Sequence, residues 1–571
     1  MCDRPLLEWV WQRRTDRGIR FVAANGDWHF HSYDHLATLT RRVARGLVAA
    51  GLRPHDVVAL VQGSTPGFVA SLFGTMLAGG VPAPMPPPHQ LVTPDYWQRL
   101  NGLLTVVQPS FVLVDGHDAP PTLRAALSTA TSAKTIAIET LLAADDDFDD
   151  ADADRSDKRD VDPRAADLAL LQFTSGSSGH CRAVRVPFAA LEANLRMIQQ
   201  WLHWTADDHA LSWLPVHHDM GLVGCLINAI VTQCQFWLMT PEHFVRSPVR
   251  YLRCLSDNRA KLTAMPTFAL DHIVRRVRPA ALAGADFSAC EAVIVGAEPL
   301  RAHTFAAFCD LLGPFGLRRG ALRPAYGLAE ATLAVTGLPL TETWTEIDID
   351  PRTVALGARV VSADRPSAST PRGTLTSTLV GCGRPLADVT VTIQDDRTGA
   401  ALPDGTFGEI VVHGPSVTAA YVHGSDAGET SFDQDGLRTG DIGFLQDGQL
   451  YVLGRLGDSI KVLGRALFAE DVESALARAG LASNRIAALL GWRDGRPAVV
   501  VLLERGEADW LTRADAILRP QIGDAALAIL LVSAGTIRRT TSGKIRRREL
   551  WQIFRDAGAD TDAAPALDAT P

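Results

Sequence analysis

Strand and helix signals alternate from Trp28 onward, and this alternation limits the fold more than any other feature of the sequence. An extended segment at Trp28 is followed by helical periodicity over Tyr33 to Leu52. The apolar run VVALVQG comes next, then a helix around Ala70 to Ala78 closed by Gly79-Gly80. A strand that returns through a helix to another strand predicts βαβ units and a largely parallel sheet. PAPMPPP (82–88) predicts a rigid connection, and FVLVD (111–115) a further buried strand. The acidic run 145–162 interrupts the pattern, because like charges at that density repel and favour a solvated linker. The alternation then resumes with LALLQF (168–173), a helix through Leu191 to Trp201, and AVIVG (292–296).

Near Pro385 the texture changes to short β segments, VTVTI, GEIVVHG and GFLQDGQLYVLG, whose spacing and Asp-Gly turn predict a small β-barrel or meander. From residue 458 to 556 strands and helices mix on the scale of one small α+β domain, and 557–571 reads as a disordered tail. With 571 residues the chain is too long for a single core. The expected fold class is therefore α/β: a large N-terminal region (1–457) of α/β subdomains plus a small β-barrel (385–457), then an α+β C-terminal domain (458–556).

Composition removes several function classes. A net charge of −9 leaves no electrostatic footprint for nucleic acid. The most apolar stretch, Met220 to Met239, carries Asn228, Thr232, Gln233 and Gln235, so it reads as core rather than a membrane span. None of the eight cysteines forms a C-x-x-C pair, which predicts buried free thiols in a reducing compartment. The N-terminus lacks a secretory signal, and a cytoplasmic location is expected. Only five of the 55 basic residues are lysine (Lys134, Lys158, Lys261, Lys461 and Lys544), so each lysine is a candidate for a role that arginine cannot fill.

The sharpest local signal is Leu171-Gln-Phe-Thr-Ser-Gly-Ser-Ser-Gly-His180. A buried strand opens into Thr174, Ser175, Gly176, Ser177, Ser178 and Gly179. Glycines admit a phosphate close to the backbone, while hydroxyls and N–H groups donate to its oxygens. The spacing is not that of a Walker A loop. Five further segments follow in order: SWLPVHHDMGLVG (212–224), VGAEPL (295–300), AYGLAEATLAVTG (325–337), LRTGDIGFL (437–445) with YVLGRLGDSIKVLGR (451–465), and RTTSGKIRRREL (539–550).

With these motifs in this order, nearly the whole chain resembles the adenylate-forming superfamily of acyl-CoA synthetases, luciferases and nonribosomal peptide adenylation domains. It looks most like the fatty acyl-AMP ligases, through SWLPVHHDMGL, GAEP and YGLAEATL. The resemblance implies activation of a fatty or related carboxylic acid with ATP and Mg2+, followed by transfer to the phosphopantetheine thiol of a separate carrier protein. It implies phosphate binding by Thr174 to Gly179 and Mg2+ binding by Glu330. Tyr326 and Gly327 would flank the adenine on one side, with Gly296, Ala297 and Glu298 on the other. Asp441 would accept the ribose hydroxyls beside Arg455, and His218 would position the substrate carboxylate. Lys544 would be the catalytic cation, carried on a mobile C-terminal domain that swings about Asp458.

Adjacent residues on one strand point to opposite faces, so His217-His218 is not read as a metal pair. LGDSI (456–460) also looks like a phosphopantetheine attachment site, but the strand-like KVLGR after it argues against a helical carrier, so Ser459 is incidental. Arg182 departs from the family pattern after the Ser/Gly loop. The segment 337–381 occupies the position of the insertion that, in fatty acyl-AMP ligases, restrains the C-terminal domain and disfavours use of CoA. Three alternatives follow: a CoA ligase, an adenylating enzyme that hands acyl-AMP to a partner, and a non-catalytic nucleotide-binding protein. Retention of Lys544, Glu330 and Asp441 argues against the last.

Overall fold

Six parallel strands form the centre of the largest sheet. Its nine strands run in the order Arg384–Pro385, Ala334–Gly337, Leu322–Gly327, Ala292–Gly296, Leu262–Pro266, His209–Ser212, Gln235–Leu238, Gly18–Val22 and Trp28–Ser32. The strands from Leu322–Gly327 to Gly18–Val22 are parallel, and the flanking pairs are antiparallel. Helices cover parallel strands on both faces, which explains why AVIVG is an unbroken apolar run. The computed structural model describes residues 5–88, 94–116, 123, 127, 131–143, 167–174, 182–349, 354–361, 377–418, 420–422, 430–433, 436–455, 459–462, 465–493, 496–522, 525–539 and 545–556. The acidic run 145–162 and the tail 557–571 lie outside these residues.

A second parallel sheet joins Val81–Met85, Val57–Val61, Phe111–Val114 and Lys134–Ala137. Its edge strand Val81–Met85 is buried throughout and contains Pro82 and Pro84, so the first part of the proline-rich segment 82–88, expected to be a connection, is a strand. An edge position tolerates this, since one side of the strand needs no ladder donors.

The β-rich region is an open sheet among the described residues, not the expected barrel. The long strand Gly436–Gln446 pairs along one edge with Gly408–His413, which in turn pairs with Thr390–Gln394. Its other edge is shared between two short partners, Ser431–Asp433 at one end and Gln449–Arg455 at the other. Dividing that edge leaves no single strand to carry the sheet round to closure. The Asp-Gly turn is as expected: Asp447 (φ 53°) and Gly448 (φ 75°) both take the left-handed conformation that a tight hairpin requires.

Beyond residue 459, three strands (Ile486–Arg493, Arg496–Glu504 and Ala526–Val532) pack against Ala469–Arg478, Ala508–Ile522 and Arg547–Asp556. Two apolar clusters here, one around Val472, Leu476 and Val501 and one around Leu489, Leu502 and Leu550, contain only residues from 460 onward. Ser459 opens the strand Ser459–Val462, a setting unlike that of a carrier-domain serine. Ile349 and Val354, within segment 337–381, share a small core with Phe407, Phe444, Tyr451 and Phe468.

No helix of the described residues is long and apolar enough to cross a membrane. Six described cysteines are free, and burial pushes the thiols of Cys225, Cys290 and Cys382 up to about 12, which leaves them unreactive.

Candidate active site

The site is built where the parallel strand Leu322–Gly327 ends. Gly327 is required there by contact: a Cβ would lie 1.8 Å from the Leu333 carbonyl oxygen. Leu328 N–H donates to that same oxygen at 2.9 Å, closing a short loop that carries Glu330. Inside the loop Thr332 has φ +69° and ψ −55°, and Leu333 N–H donates to the Ala331 carbonyl at 2.8 Å. This is a tight γ-turn, a conformation that costs a threonine of the order of 1–3 kcal/mol and persists only when its surroundings hold it. The holding groups are visible. Thr332 Oγ1 donates to the Ser416 carbonyl at 2.7 Å, and Thr418 donates to the Glu330 carbonyl from both N–H and Oγ1, each at 2.9 Å.

Glu330 itself is 6% exposed, and its Oε1 accepts from the Tyr421 hydroxyl at 2.7 Å. Burial first, and then the adjoining Glu330, raises the Tyr421 pKa, so the hydroxyl stays a donor. Arg182 lies over the Tyr421 ring, 5.1 Å from its centroid. The residue that breaks the family pattern therefore faces the same aromatic ring that orients Glu330.

Asp441 and Arg455 are direct partners across the hairpin, which is why TGD and GR at this separation meet. Arg455 Nε donates to Asp441 Oδ1 at 2.8 Å, and the Tyr326 hydroxyl donates to Oδ2 at 2.6 Å. Asp441 chiefly, with a smaller contribution from Glu330, raises the basicity of Arg455. Burial and then Asp441 hold Tyr326 protonated. Tyr326, Glu330, Asp441 and Arg455 thus converge as one cluster.

On the neighbouring strand, Gly296 approaches the Ala325 carbonyl so closely that a Cβ would sit 3.0 Å from it. Ala297 then turns at φ +66°. Glu298 is directed at a helix start: its Oε2 accepts from Phe268 N–H at 3.0 Å, in the first turn of Thr267–Arg276. A carboxylate there also complements the helix dipole.

Thr174 marks the entrance of the Ser/Gly loop, its N–H donating to the Arg182 carbonyl at 2.9 Å. Ser175, Gly176, Ser177, Ser178 and Gly179 lie outside the described residues, as do Asp458 and Lys544. Gln172, on the strand feeding the loop, donates from Nε2 to the His217 carbonyl at 3.0 Å and so ties this strand to the HHDMG segment. His218 stands just before a short helix that begins at Asp219, rather than sitting in a strand, with its ring 4.5 Å from that of His217. The helix passes through a π-turn at Leu222–Ile227, where Asn228 Nδ2 donates to the Val223 carbonyl at 3.0 Å. Among the described residues, no three His, Cys, Asp or Glu side chains are grouped to hold a metal ion. Mg2+ asks for less, since it is commonly held by one or two carboxylates together with substrate phosphates. The buried, oriented Glu330 carboxylate fits that use.

Sequence reasoning missed Tyr421, Thr418 and Thr332. Tyrosine is rare here, with six in the chain, and two of the six stand in this cluster. That scarcity was the available signal for Tyr421. Tyr326→Phe removes one of the two side-chain donors to Asp441 and is expected to lower stability by about 1–2 kcal/mol in urea unfolding; an unchanged midpoint would show that the hydroxyl contributes nothing.

The fold and this cluster define a nucleotide-binding α/β enzyme, and comparison with known proteins gives the family. The AMP-binding enzyme family model matches residues 7–422, and the chain belongs to that family. It is similar to the medium-chain-fatty-acid–[acyl-carrier-protein] ligase JamA of Moorena producens, 30% identical with 86% of this chain and 84% of JamA covered. It is similar also to the long-chain-fatty-acid–AMP ligase FadD26 of Mycobacterium marinum, at 28% identity and 88% of each chain. Among solved structures, one from a study of fatty acyl-adenylate ligases from E. coli and L. pneumophila superposes with a TM-score of 0.85 at 27% identity, covering 97% of this chain and 98% of that one. The protein is an acyl-AMP ligase.

Proposed function

We propose that the protein joins a fatty carboxylate to the α-phosphate of ATP and then passes the acyl group to the phosphopantetheine thiol of a separate carrier protein. In the first step a carboxylate oxygen attacks the α-phosphorus, and the bond to the β-phosphate oxygen breaks to release pyrophosphate. In the second, the thiol sulfur attacks the acyl carbon, its proton is lost, and AMP leaves. The observation that carries this reading is the convergence of Tyr326, Asp441 and Arg455 beside the buried Glu330 carboxylate.

Two anions must be brought together, so binding, alignment and charge neutralisation are the main tasks. Asp441, held by two donors, presents fixed acceptor lone pairs to the ribose hydroxyls. Tyr326 and Gly327 form one wall for the adenine, and Gly296 and Ala297 the other. Glu330, together with the substrate phosphates, would hold Mg2+, which would supply charge neutralisation. Thr174 to Gly179 and Arg182 bind phosphate oxygens, His218 orients the carboxylate, and Lys544 meets the charge developing at the α-phosphate. The C-terminal domain, 458–556, turns about Asp458 between the two steps. The insertion, 337–381, restrains that turn, a reading supported by the core that Ile349 and Val354 share with Phe468.

Mass spectrometry of the protein with ATP, Mg2+ and a panel of carboxylic acids tests this, with CoA, a holo carrier protein or neither acceptor in parallel. Acyl-AMP without acceptor, acyl-carrier with holo carrier and little acyl-CoA are expected. Abundant acyl-CoA would instead make this a CoA ligase, with 337–381 an ordinary loop.

A further inference from the structure

A basic face stands on a chain whose net charge is −9. Segment 241–278 carries eight arginine and lysine residues against three acidic ones. One contact between two helices gathers part of this charge. Val245 and Arg246 end the helix Pro241–Arg246, and the Val245 carbonyl accepts from His272 Nε2 at 3.1 Å. His272 lies on the helix Thr267–Arg276. One turn further along come Arg275 and Arg276, with Arg278 just past the end. The contact therefore sets Arg246 in the neighbourhood of Arg275 and Arg276.

The fold leaves these charges unneutralised. Arg246, Arg276 and Arg278 are exposed, and no salt bridge engages them among the described residues. Asp271 sits on the same helix but is engaged elsewhere: its Oδ2 lies 3.7 Å from Arg301, and its Oδ1 accepts from Thr304 Oγ1 at 2.8 Å. Lys261, by contrast, has Asp208 at 3.0 Å. The histidines between the helices feel the excess. Burial first, and then Arg250 and Arg246, lower the His243 pKa. Burial also lowers that of His272; its bond to the Val245 carbonyl opposes this, and Arg276 and Arg275 add to it. A face whose own charges repel gains from an anionic partner.

The face also has an apolar element and a connection to the site. Val245, beside Arg246, is 49% exposed. One valine is too little apolar surface to enter a bilayer, but it can seat against another protein inside a polar rim. At the far end of helix Thr267–Arg276, Phe268 N–H donates to the Glu298 carboxylate at 3.0 Å. The ten residues of that helix place the face about 15 Å from the Glu298 loop, a span within the reach of a phosphopantetheine arm.

We propose that Arg246, Arg275, Arg276 and Arg278, with Val245, form the docking face for an acidic surface of the carrier protein that receives the acyl group. The inference rests on the transfer step proposed above. A net-negative enzyme repels an acidic partner over most of its surface, so a local positive face both draws the partner in and fixes its orientation. The phosphodiester of the carrier's arm adds negative charge on the same side.

The test uses the full chain with a labelled, acidic holo acyl carrier protein, with free pantetheine, and with phosphatidylglycerol vesicles. Arg246→Glu combined with Arg276→Glu is expected to weaken carrier binding, read by fluorescence anisotropy, by about tenfold at low salt. The difference should shrink as salt is raised. The kcat/KM for transfer to the carrier should fall by the same factor. Acyl-AMP formation, transfer to free pantetheine and the melting temperature should stay unchanged. Arg246→Lys with Arg276→Lys, which keeps both charges, should bind as the unaltered protein does. Equal carrier affinity in the glutamate variant overturns the proposal, as does an unaltered protein that does not bind the carrier. An equal loss with free pantetheine also overturns it, by marking damage to the site itself. Vesicle binding lost in the glutamate variant, with carrier affinity kept, would assign the face to a membrane surface instead. Binding needs neither ATP nor acid, so a protein that binds the carrier through this face yet makes no acyl-AMP would refute the adenylation reading and leave the docking face standing.

Discussion

Lys544→Ala is expected to slow acyl-adenylate formation by about 10²–10³, with the fold intact and transfer from supplied acyl-AMP little changed. The magnitude is that of removing one preorganised donor from a site of developing charge. Scarcity of lysine alone would not single out this residue, since two of the others have structural uses. Lys261 Nζ lies 3.0 Å from Asp208 and 3.9 Å from Glu291, and Lys134 Nζ donates to the Ala50 carbonyl at 3.4 Å. What distinguishes Lys544 is its place in the sequence RTTSGKI, directly before Ile545, which pairs with Arg539 in an antiparallel bridge. Lys544→Arg is expected to recover little, because a planar guanidinium cannot reproduce a compact ammonium. Single-turnover formation of acyl-AMP, read beside a melting curve, measures both variants. Near-normal adenylation in Lys544→Ala would remove the lysine from the mechanism.

The features legible in the sequence are those determined by local period and turn chemistry. The hairpin carrying Asp441 and Arg455 could be read because an Asp-Gly turn sets its register, and register decides which residues face one another. AVIVG reads as a strand because parallel strands buried on both faces are apolar throughout, and LALLQF because a short run of buried apolar residues marks a strand, here paired antiparallel with Ala183–Pro187. Other features depend on contacts remote in sequence. Tyr421 meets Glu330 across 91 positions, and Ser416 meets Thr332 across 84. Neither pairing leaves a local trace. Pro82 and Pro84 misled because their cost in a strand depends on whether that strand lies at an edge, which only the assembled sheet decides. Closure of the β-rich sheet was equally hidden, since it turns on how two short strands divide one edge of Gly436–Gln446. The bond from Phe268 N–H to the Glu298 carboxylate, across 30 positions, is equally remote.

Glu330→Gln should separate charge from shape at the centre of the site. The loop around residue 330 is held mainly through its main chain, since Thr418 donates twice to the carbonyl oxygen and Leu328 closes onto Leu333. A glutamine keeps those bonds and still offers an amide oxygen to the Tyr421 hydroxyl. Arg455 keeps its bond to Asp441, so no buried cation is left without its main partner. Stability should therefore change by less than about 1 kcal/mol. Catalysis should not be spared. A neutral amide oxygen is a poorer ligand than a carboxylate for a hard cation, and the neutralisation Mg2+ brings to the phosphates is worth several kcal/mol. Adenylation at saturating ATP is expected to fall by roughly 10², and half-maximal rate should require much more Mg2+. Tyr421→Phe retains the charge but frees the carboxylate to rotate, so its loss should be smaller and should show the same rise in Mg2+ requirement. A Glu330→Gln enzyme with an unaltered Mg2+ dependence would mean that the cation is held elsewhere, and the buried carboxylate would then be part of the scaffold that orients Tyr421 and Arg455.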